Sequence, residues 1–364
     1  MRVGPGRYGE VMAKSAAAMV VVGDREVRVS SPDRVIYEAT ESTPEVTKLM
    51  VAEYFASVED GLMRALRDRP TALERWTSGV RPGMKLATGP FDKDADAFYQ
   101  KRVPKGAPDY VETVTVRFPS GRPADEICPT EEAVIVWAAN LGTFDFHPWP
   151  VRRPDVDHPD ELRIDLDPQP GTDFSDAARV ALVLREVLAD AGLTGYPKTS
   201  GGRGIHVAVR IRPEWDFIDV RHAVIAIARR VAERVPDQAT VAWWKEERGE
   251  RVFLDYNQAA RDRTVASAWS VRGRPRATVS MPLTWADLPS VEPEDFDVRT
   301  VPGIYAERGD PHADMDAHVG GLETVLEWYA ADPRGDLPYP PEYPKMPGEP
   351  MRVQPSRARN PEPS

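Results

Sequence analysis

The sequence predicts an α+β protein, and three stretches carry that expectation. Residues 161–168, ELRIDLDP, alternate apolar and polar side chains with the two-residue period of a strand. Two amphipathic helices are expected after it. One runs over 174–191, with Val180, Leu184, Val187 and Leu188 on one face, Asp173 or Ser175 as cap and Gly192 as stop; the other spans 219–235. A chain of 364 residues can bury a substantial core, as one large domain or two small ones.

Composition narrows the class. Hydrophobic residues make up 41% and charged residues 29%, as in a globular chain, and Cys128 is the single cysteine. One cysteine excludes a disulfide framework or a cysteine zinc site within one chain and fits a reducing, cytoplasmic setting. The apolar run 16–22 is too short for a membrane span and is followed by charge at 24–28, so 1–23 reads as a leader or ordered strand and no membrane partner is expected. The net charge of −11 is unevenly placed: from Asp287 onward there are 7 Lys/Arg against 16 Asp/Glu, which leaves only −2 for the rest. An almost neutral body can carry a basic channel for nucleic acid.

In chain order, 24–30 reads as a strand, 31–34 as a turn and 35–37 as a strand. A helix is expected from Thr43 through about Leu66 on the spacing of Val46, Leu49, Met50, Tyr54 and Val58. Leu73-Glu74-Arg75-Trp76 precedes a Gly-, Pro- and charge-rich loop over 77–96, and then come Phe98, Tyr99 and Lys101, a candidate base-stacking and phosphate-contact unit. Residues 111–118 read as a strand and 131–140 as a helix. His147 follows, 18 positions before Asp165. Beyond the central strand, 250–256 is a strand carrying Asp255, and 268–281 is a hairpin with Arg272, Arg274 and Arg276 around a turn. Residues 286–331 form an acidic helical segment. The stretch 332–364 holds 10 of the 36 prolines and few large aliphatic residues, so it reads as a disordered tail.

Two motifs carry chemistry. Alternation along the strand turns Asp165 and Asp167 to one face, where two carboxylates repel unless cations sit between them or one is protonated. Hard oxygen ligands suit Mg²⁺ or Mn²⁺ held jointly with a substrate's phosphates, and Asp255 is placed to be a third carboxylate. A bare DxD also fits a strand end with two solvated acids. The second motif, KTSGGRGIH over 198–206, lets a glycine backbone approach an anion while Ser200, Arg203 and His206 donate to it, in the manner of a triphosphate cradle without a Walker signature. A Gly-rich hairpin turn is the alternative.

Taken in order, DLDP, TSGGRGIH and RVFLDYNQ resemble the archaeo-eukaryotic primase-polymerase superfamily, specifically the polymerase domain of bacterial DNA ligase D, over about 31–288. The resemblance implies a primase-polymerase core with an RRM-like mixed sheet flanked by helices. That core would have an α/β module at 24–150, a catalytic module at 151–285 and the acidic segment to 331. It assigns Asp165, Asp167 and Asp255 to two catalytic Mn²⁺ or Mg²⁺ ions, and His147 to the nucleotide sugar or primer end. Ser200, Gly201, Gly202, Arg203, His206, Arg272 and Lys245 go to the incoming NTP or dNTP. Phe98 and Tyr99 match a template-stacking pair followed by Lys101, and Trp76 of the neighbouring Arg-Trp motif is expected at the DNA with them. Arg34 and Lys48 match cations that hold a downstream 5′-phosphate. The expansion 81–96 departs from the family, and its Lys85 and Phe91 are expected over the template. No ligase or nuclease motif accompanies these residues, as in stand-alone actinobacterial primase-polymerases. The implied activity is filling short gaps in 5′-phosphorylated gapped or primer-template DNA, with ribonucleotides preferred, in excision repair or end joining. The implied partners are a separate ATP-dependent DNA ligase and Ku, and the implied setting is the nucleoid. Competing classes are a non-catalytic gapped-DNA or nucleotide-binding repair protein and a metal-dependent phosphohydrolase.

Overall fold

A computed structural model describes residues 17–87, 92, 94–340 and 355–356. Of the two readings of the apolar run, leader or ordered strand, the second holds for its described residues: they form strand β1 (Ala17–Val22), paired antiparallel with β2 (Arg25–Ser30). Alternation decides its sides: Val20, Val22, Val27 and Val29 are buried, while Met19 and Val21 face out.

The single helix expected over 43–66 is broken twice. Strand β3 (Val35–Tyr37) pairs with β4 (Val46–Thr47), so the chain is extended until Thr47, whose hydroxyl accepts from Met50 N and caps α1 (Lys48–Ser57). Ser57 Oγ donates back to Tyr54 O and Val58 leaves helical geometry (φ −119°, ψ 21°), after which α2 (Glu59–Leu66) starts afresh. Apolar periodicity runs through both breaks, because both helices bury one face in the same core.

Five strands, β5 (Thr71–Arg75), β6 (Phe98–Gln100), β7 (Thr113–Arg117), β8 (Pro123–Ile127) and, after helix α3 (Ala133–Asn140), β9 (Thr143–Pro148), form the first large sheet. Its order is β6-β5-β8-β7, with β9 also on β5.

The second sheet is built on the ELRIDLDP strand, β10 (Glu161–Pro168). Helix α4 (Phe174–Asp190) follows, its Asp173 and Asp176 completing a reciprocal capping box. Then come β11 (Gly195–Thr199), β12 (Ile205–Arg210), α5 (Phe217–Arg234), β13 (Ala239–Thr240), a short α6 (Lys245–Arg248) and β14 (Val252–Leu254). The order is β11-β12-β10-β14-β13, with only β13 parallel to its neighbour, so the sheet is mixed as expected. Leu162, Ile164 and Leu166 are buried in the core shared with α4 and α5. Glu161, Arg163, Asp165 and Asp167 alternate to the other face. In register beside them stand Arg210, Ala208 and His206 of β12, and beside His206 stands Lys198 of β11. One face of the sheet is thus apolar and covered by helices, and the other is a strip of charge.

Helices α7 (Val301–Arg308) and α8 (Glu323–Ala331) are the last helices among the described residues. The expectation of a disordered tail from 332 is corrected for its first residues. Arg221 of α5 is fully buried; its guanidinium bonds Asp336 Oδ1 (2.6 Å) and Leu337 O (2.7 Å) and lies 3.7 Å from the Tyr339 ring. Arg229 likewise holds Asp332 Oδ2 (3.1 Å) and Gly335 O (2.8 Å). A buried guanidinium needs anions, and 332–339 supplies them.

Candidate active site

The three expected metal ligands converge from two adjacent strands. Asp165 and Asp167 lie on the charged face of β10, and Asp255 directly follows β14, its N–H donating to Asp165 O at 2.9 Å. Asp255 Oδ1 accepts from Asn257 N (3.0 Å) and its Oδ2 from Gln258 Nε2 (3.2 Å); the exposed Asp167 accepts from Gln169 Nε2 (3.1 Å). Burial, then the charges of Asp255 and Asp167, push the Asp165 carboxyl well above the usual range, and burial raises the other two. Three mutually repelling carboxylates with hard oxygen donors fit a divalent cation. Their oxygens do not all come within 4.8 Å of one another. Among the described residues the group that does is Glu74, Asp145 and His147.

Opposite the acids stands a cationic group, built differently from expectation. The glycine N–H groups of the 198–206 loop do not face outward: Gly202 N and Gly204 N donate to Ser200 Oγ (3.2 and 3.1 Å), and Gly201 N donates to Thr199 Oγ1 (3.3 Å). The glycines instead admit arginines. Gly201 has φ +72°, and a Cβ there would collide with Arg272 Cγ; one on Gly202 would lie 2.7 Å from Arg274 Nη2. Burial, Arg272 and Arg203 together lower the pKa of Arg274, so positive charge is in local excess here as negative charge is at the aspartates. Between the two clusters lies His206, its Nε2 3.5 Å from Asp165 Oδ1. Its Nδ1 is 2.8 Å from Lys198 Nζ, which also donates to Ser280 Oγ at 2.5 Å. Burial, Lys198 and Arg272 hold His206 neutral, and burial with Arg272 brings Lys198 down to about 7. Lys245 opens α6, and its charge, with those of Arg248 and Arg203, acts on Asp167.

His147, on β9, belongs to a buried network apart from the three aspartates. Its Nε2 lies 3.3 Å from both Glu74 Oε2 and Asp145 Oδ1; Asp145 Oδ2 pairs with Arg272 Nη1 at 2.7 Å. Trp76, expected at the DNA, is only 4% exposed: its Nε1 donates to Glu74 Oε1 (2.8 Å), and its ring fills the space a Cβ on Gly273 would need. A side chain so enclosed cannot touch DNA. Phe98 and Tyr99 are half-exposed, but as neighbours on β6 they point to opposite faces. Phe98 lies under Arg75 (5.5 Å) and Tyr99 sits edge-on to His147 (5.0 Å), so they do not form a single stacking surface. Lys101 Nζ binds Asp262 (2.7 Å) and overlies Phe118 (4.7 Å).

Pairing of β3 with β4 does bring Arg34 and Lys48 together. Arg34 is exposed and anchored by Nη2 to Thr77 O (2.7 Å), whereas Lys48 is buried, its ammonium donating to Ser30 O (2.8 Å) and Oγ (3.2 Å). Lys85 is exposed, with its backbone N–H on Asp96; Phe91 lies outside the described residues. Glu74, Asp145, Lys198 and Arg248 were not among the expected site residues, whereas Arg274 belonged to the hairpin read as a cationic ribbon. The acidic neighbour of His147 in FDFH was the one visible hint.

A family model described as the LigD primase-polymerase domain matches residues 47–312. The multifunctional non-homologous end joining protein LigD of Mycolicibacterium smegmatis is 30% identical over 327 residues, which are 88% of this chain and 40% of that protein. The bifunctional non-homologous end joining protein LigD of Bacillus subtilis is 28% identical over 80% of this chain and 44% of its own length. The chain therefore spans less than half of these relatives. Among solved structures, the polymerase domain from Mycobacterium tuberculosis ligase D in complex with DNA superposes with a TM-score of 0.69 at 28% identity, covering 80% of this chain and 98% of that one.

Proposed function

The chain belongs to the LigD primase-polymerase family, and on that footing we propose that it is a metal-dependent nucleotidyltransferase that fills short gaps in DNA with a downstream 5′-phosphate, using ribonucleotides in preference. The observation that carries this reading is the pairing of opposite charge excesses at one site: Asp165, Asp167 and Asp255 on one side of His206, Arg272 and Arg274 on the other, and Arg203 acting on both Asp167 and Arg274. Each cluster is costly alone, and a divalent cation with a triphosphate relieves both.

Asp165, Asp167 and Asp255 would hold Mn²⁺ or Mg²⁺. Ions bound there supply activation of a primer 3′-OH and neutralisation of the leaving pyrophosphate. The protein groups bind and orient. Ser200 Oγ accepts two backbone N–H groups, which leaves its hydroxyl proton free for a phosphate oxygen. Lys198, donating to His206 Nδ1, leaves the imidazole proton on Nε2, toward Asp165. Arg272 and Arg274 supply fixed positive charge, and Lys245 with Arg203 adds more beside Asp167.

On the DNA side, Arg34 contacts the 5′-phosphate, with Lys48 adding charge from beneath, and Phe98, Tyr99, Lys101 and the 81–96 segment line the template. The solved neighbour is a polymerase domain in complex with DNA, which supports DNA as the ligand. An ATP-dependent ligase to seal the filled gap and Ku at broken ends are the partners this reading proposes. No helix among the described residues is long and apolar enough to cross a membrane.

The test is extension of a labelled primer in gapped DNA with a 5′-phosphate, Mn²⁺ and each NTP or dNTP. Addition of one or a few nucleotides, ribonucleotides fastest, is expected. Binding without extension would indicate a non-catalytic repair protein, and nucleotide hydrolysis without extension a phosphohydrolase.

A further inference from the structure

Glu74, Asp145, His147 and Arg272 meet from three separate parts of the chain, β5, β9 and the 271–279 hairpin, and all but Arg272 are at least nine-tenths buried. We propose that Glu74 is a positioning residue: with Asp145 it clamps the His147 ring between two carboxylates and, through Asp145, sets how Arg272 lies against the glycine loop. The inference rests on the nucleotidyl-transfer reading of Arg272 and His147.

Geometry carries it. The Nε2 atom stands 3.3 Å from an oxygen of each acid, while each acid's other oxygen is engaged, Glu74 Oε1 by Trp76 Nε1 and Asp145 Oδ2 by Arg272 Nη1. Trp76 in turn packs on Gly273, the residue after Arg272, and Tyr37 OH donates to Arg272 O at 3.1 Å. Both the base and the guanidinium of the hairpin are therefore tied to the network that holds His147.

Charge then decides what occupies the centre. Within the ion-paired group two carboxylates and one guanidinium leave −1, while Lys198 of β11 acts on Asp145 and the neutral His206 of β12 faces His147 from outside it. A proton on His147 brings the group to zero, whereas a divalent ion on the same three atoms would leave +1 buried beside Arg272. Burial opposes the proton, but Asp145 and Glu74 outweigh it and hold the His147 pKa up to about 9. Burial likewise opposes ionisation of Glu74, yet His147, Arg272 and Trp76 bring it down to about 2. Tyr99, from β6, faces the same ring edge-on. The stabilisation is fully present below the unfolded histidine pKa of about 6.5 and is lost as pH rises through about 9.

Histidine-selective ¹⁵N NMR of the full chain, with His147→Asn identifying the signal, tests this directly. In wild type the ring is expected to be imidazolium at pH 7.5 and to titrate near 9. Glu74→Gln should lower its proton affinity tenfold or more and raise the KM for nucleotide more than it lowers kcat. A ring neutral at pH 7.5 in wild type overturns the proposal even if the variant does not fold. So does an unchanged midpoint in Glu74→Gln, or a stoichiometric metal that survives dialysis in wild type and is lost in the variant. Because the titration needs no turnover, a chain that extends no primer can still pass it, and the two readings fail separately.

Discussion

A single buried acid outside the site shows how burial dominates a residue's chemistry. Glu126 is fully buried, accepts Trp149 Nε1 at 3.1 Å, and is pushed up to about 8 by burial, with Lys101 only partly opposing it. Between pH 5 and 8 the folded chain therefore holds a proton that the unfolded chain has released, so stability falls with rising pH by about 1.4 kcal/mol per unit from this group. Glu126→Gln keeps the tryptophan bond and removes the titration. Urea unfolding at pH 5.5 and 7.5 should show the glutamine variant gaining about 2 to 3 kcal/mol on wild type between the two; a constant difference would contradict the assignment. The residues legible in the sequence were those whose chemistry is local, such as the two aspartates of DLDP. Glu74 and Lys198 were not, because they matter through Asp145, His147 and Ser280, partners more than 70 positions away.

At the scale of elements, period and punctuation were readable and their purpose was not. Alternation in ELRIDLDP correctly sorted its two faces, since one is covered by α4 and α5 and the other is charged. The glycines of 201–204 signalled close approach, but what approaches is Arg272 and Arg274 from a hairpin some 70 residues on, and the loop N–H groups bond within the loop. The split of 43–66 into β4, α1 and α2 was hidden because the buried positions keep helical spacing across Val58. Gly201→Ala tests the glycine's role. It puts a Cβ against Arg272 at a positive φ, a strain of about 1 to 3 kcal/mol. The KM for nucleotide should rise about tenfold, equivalent to about 1.4 kcal/mol of binding. An unchanged KM would mean that the arginine is not set by the loop.

Across the whole molecule, residues 332–339, the first of the stretch that composition marked as disordered, bind helix α5, which packs on the ELRIDLDP sheet. Residues 332–339 neutralise Arg221 and Arg229. Arg221 Nε also reaches Asn257 Oδ1 at 3.4 Å, and Asn257 N donates to Asp255. Proline content could not reveal this, because the need lies in two buried arginines of α5. Truncation after Ala331 leaves both without their acids and should cost about 3 to 5 kcal/mol by thermal or urea unfolding; an unchanged midpoint would return the segment to the status of a tail. The central claim is that Asp165, Asp167 and Asp255 are one metal-binding, nucleotidyl-transfer centre. Its most direct measurement is single-nucleotide extension on 5′-phosphorylated gapped DNA by Asp255→Asn beside wild type, with gapped-DNA affinity measured in parallel. Extension should fall by at least a hundredfold while DNA affinity holds or rises, because a ligand and a repelling charge are removed together; extension at the wild-type rate would contradict it.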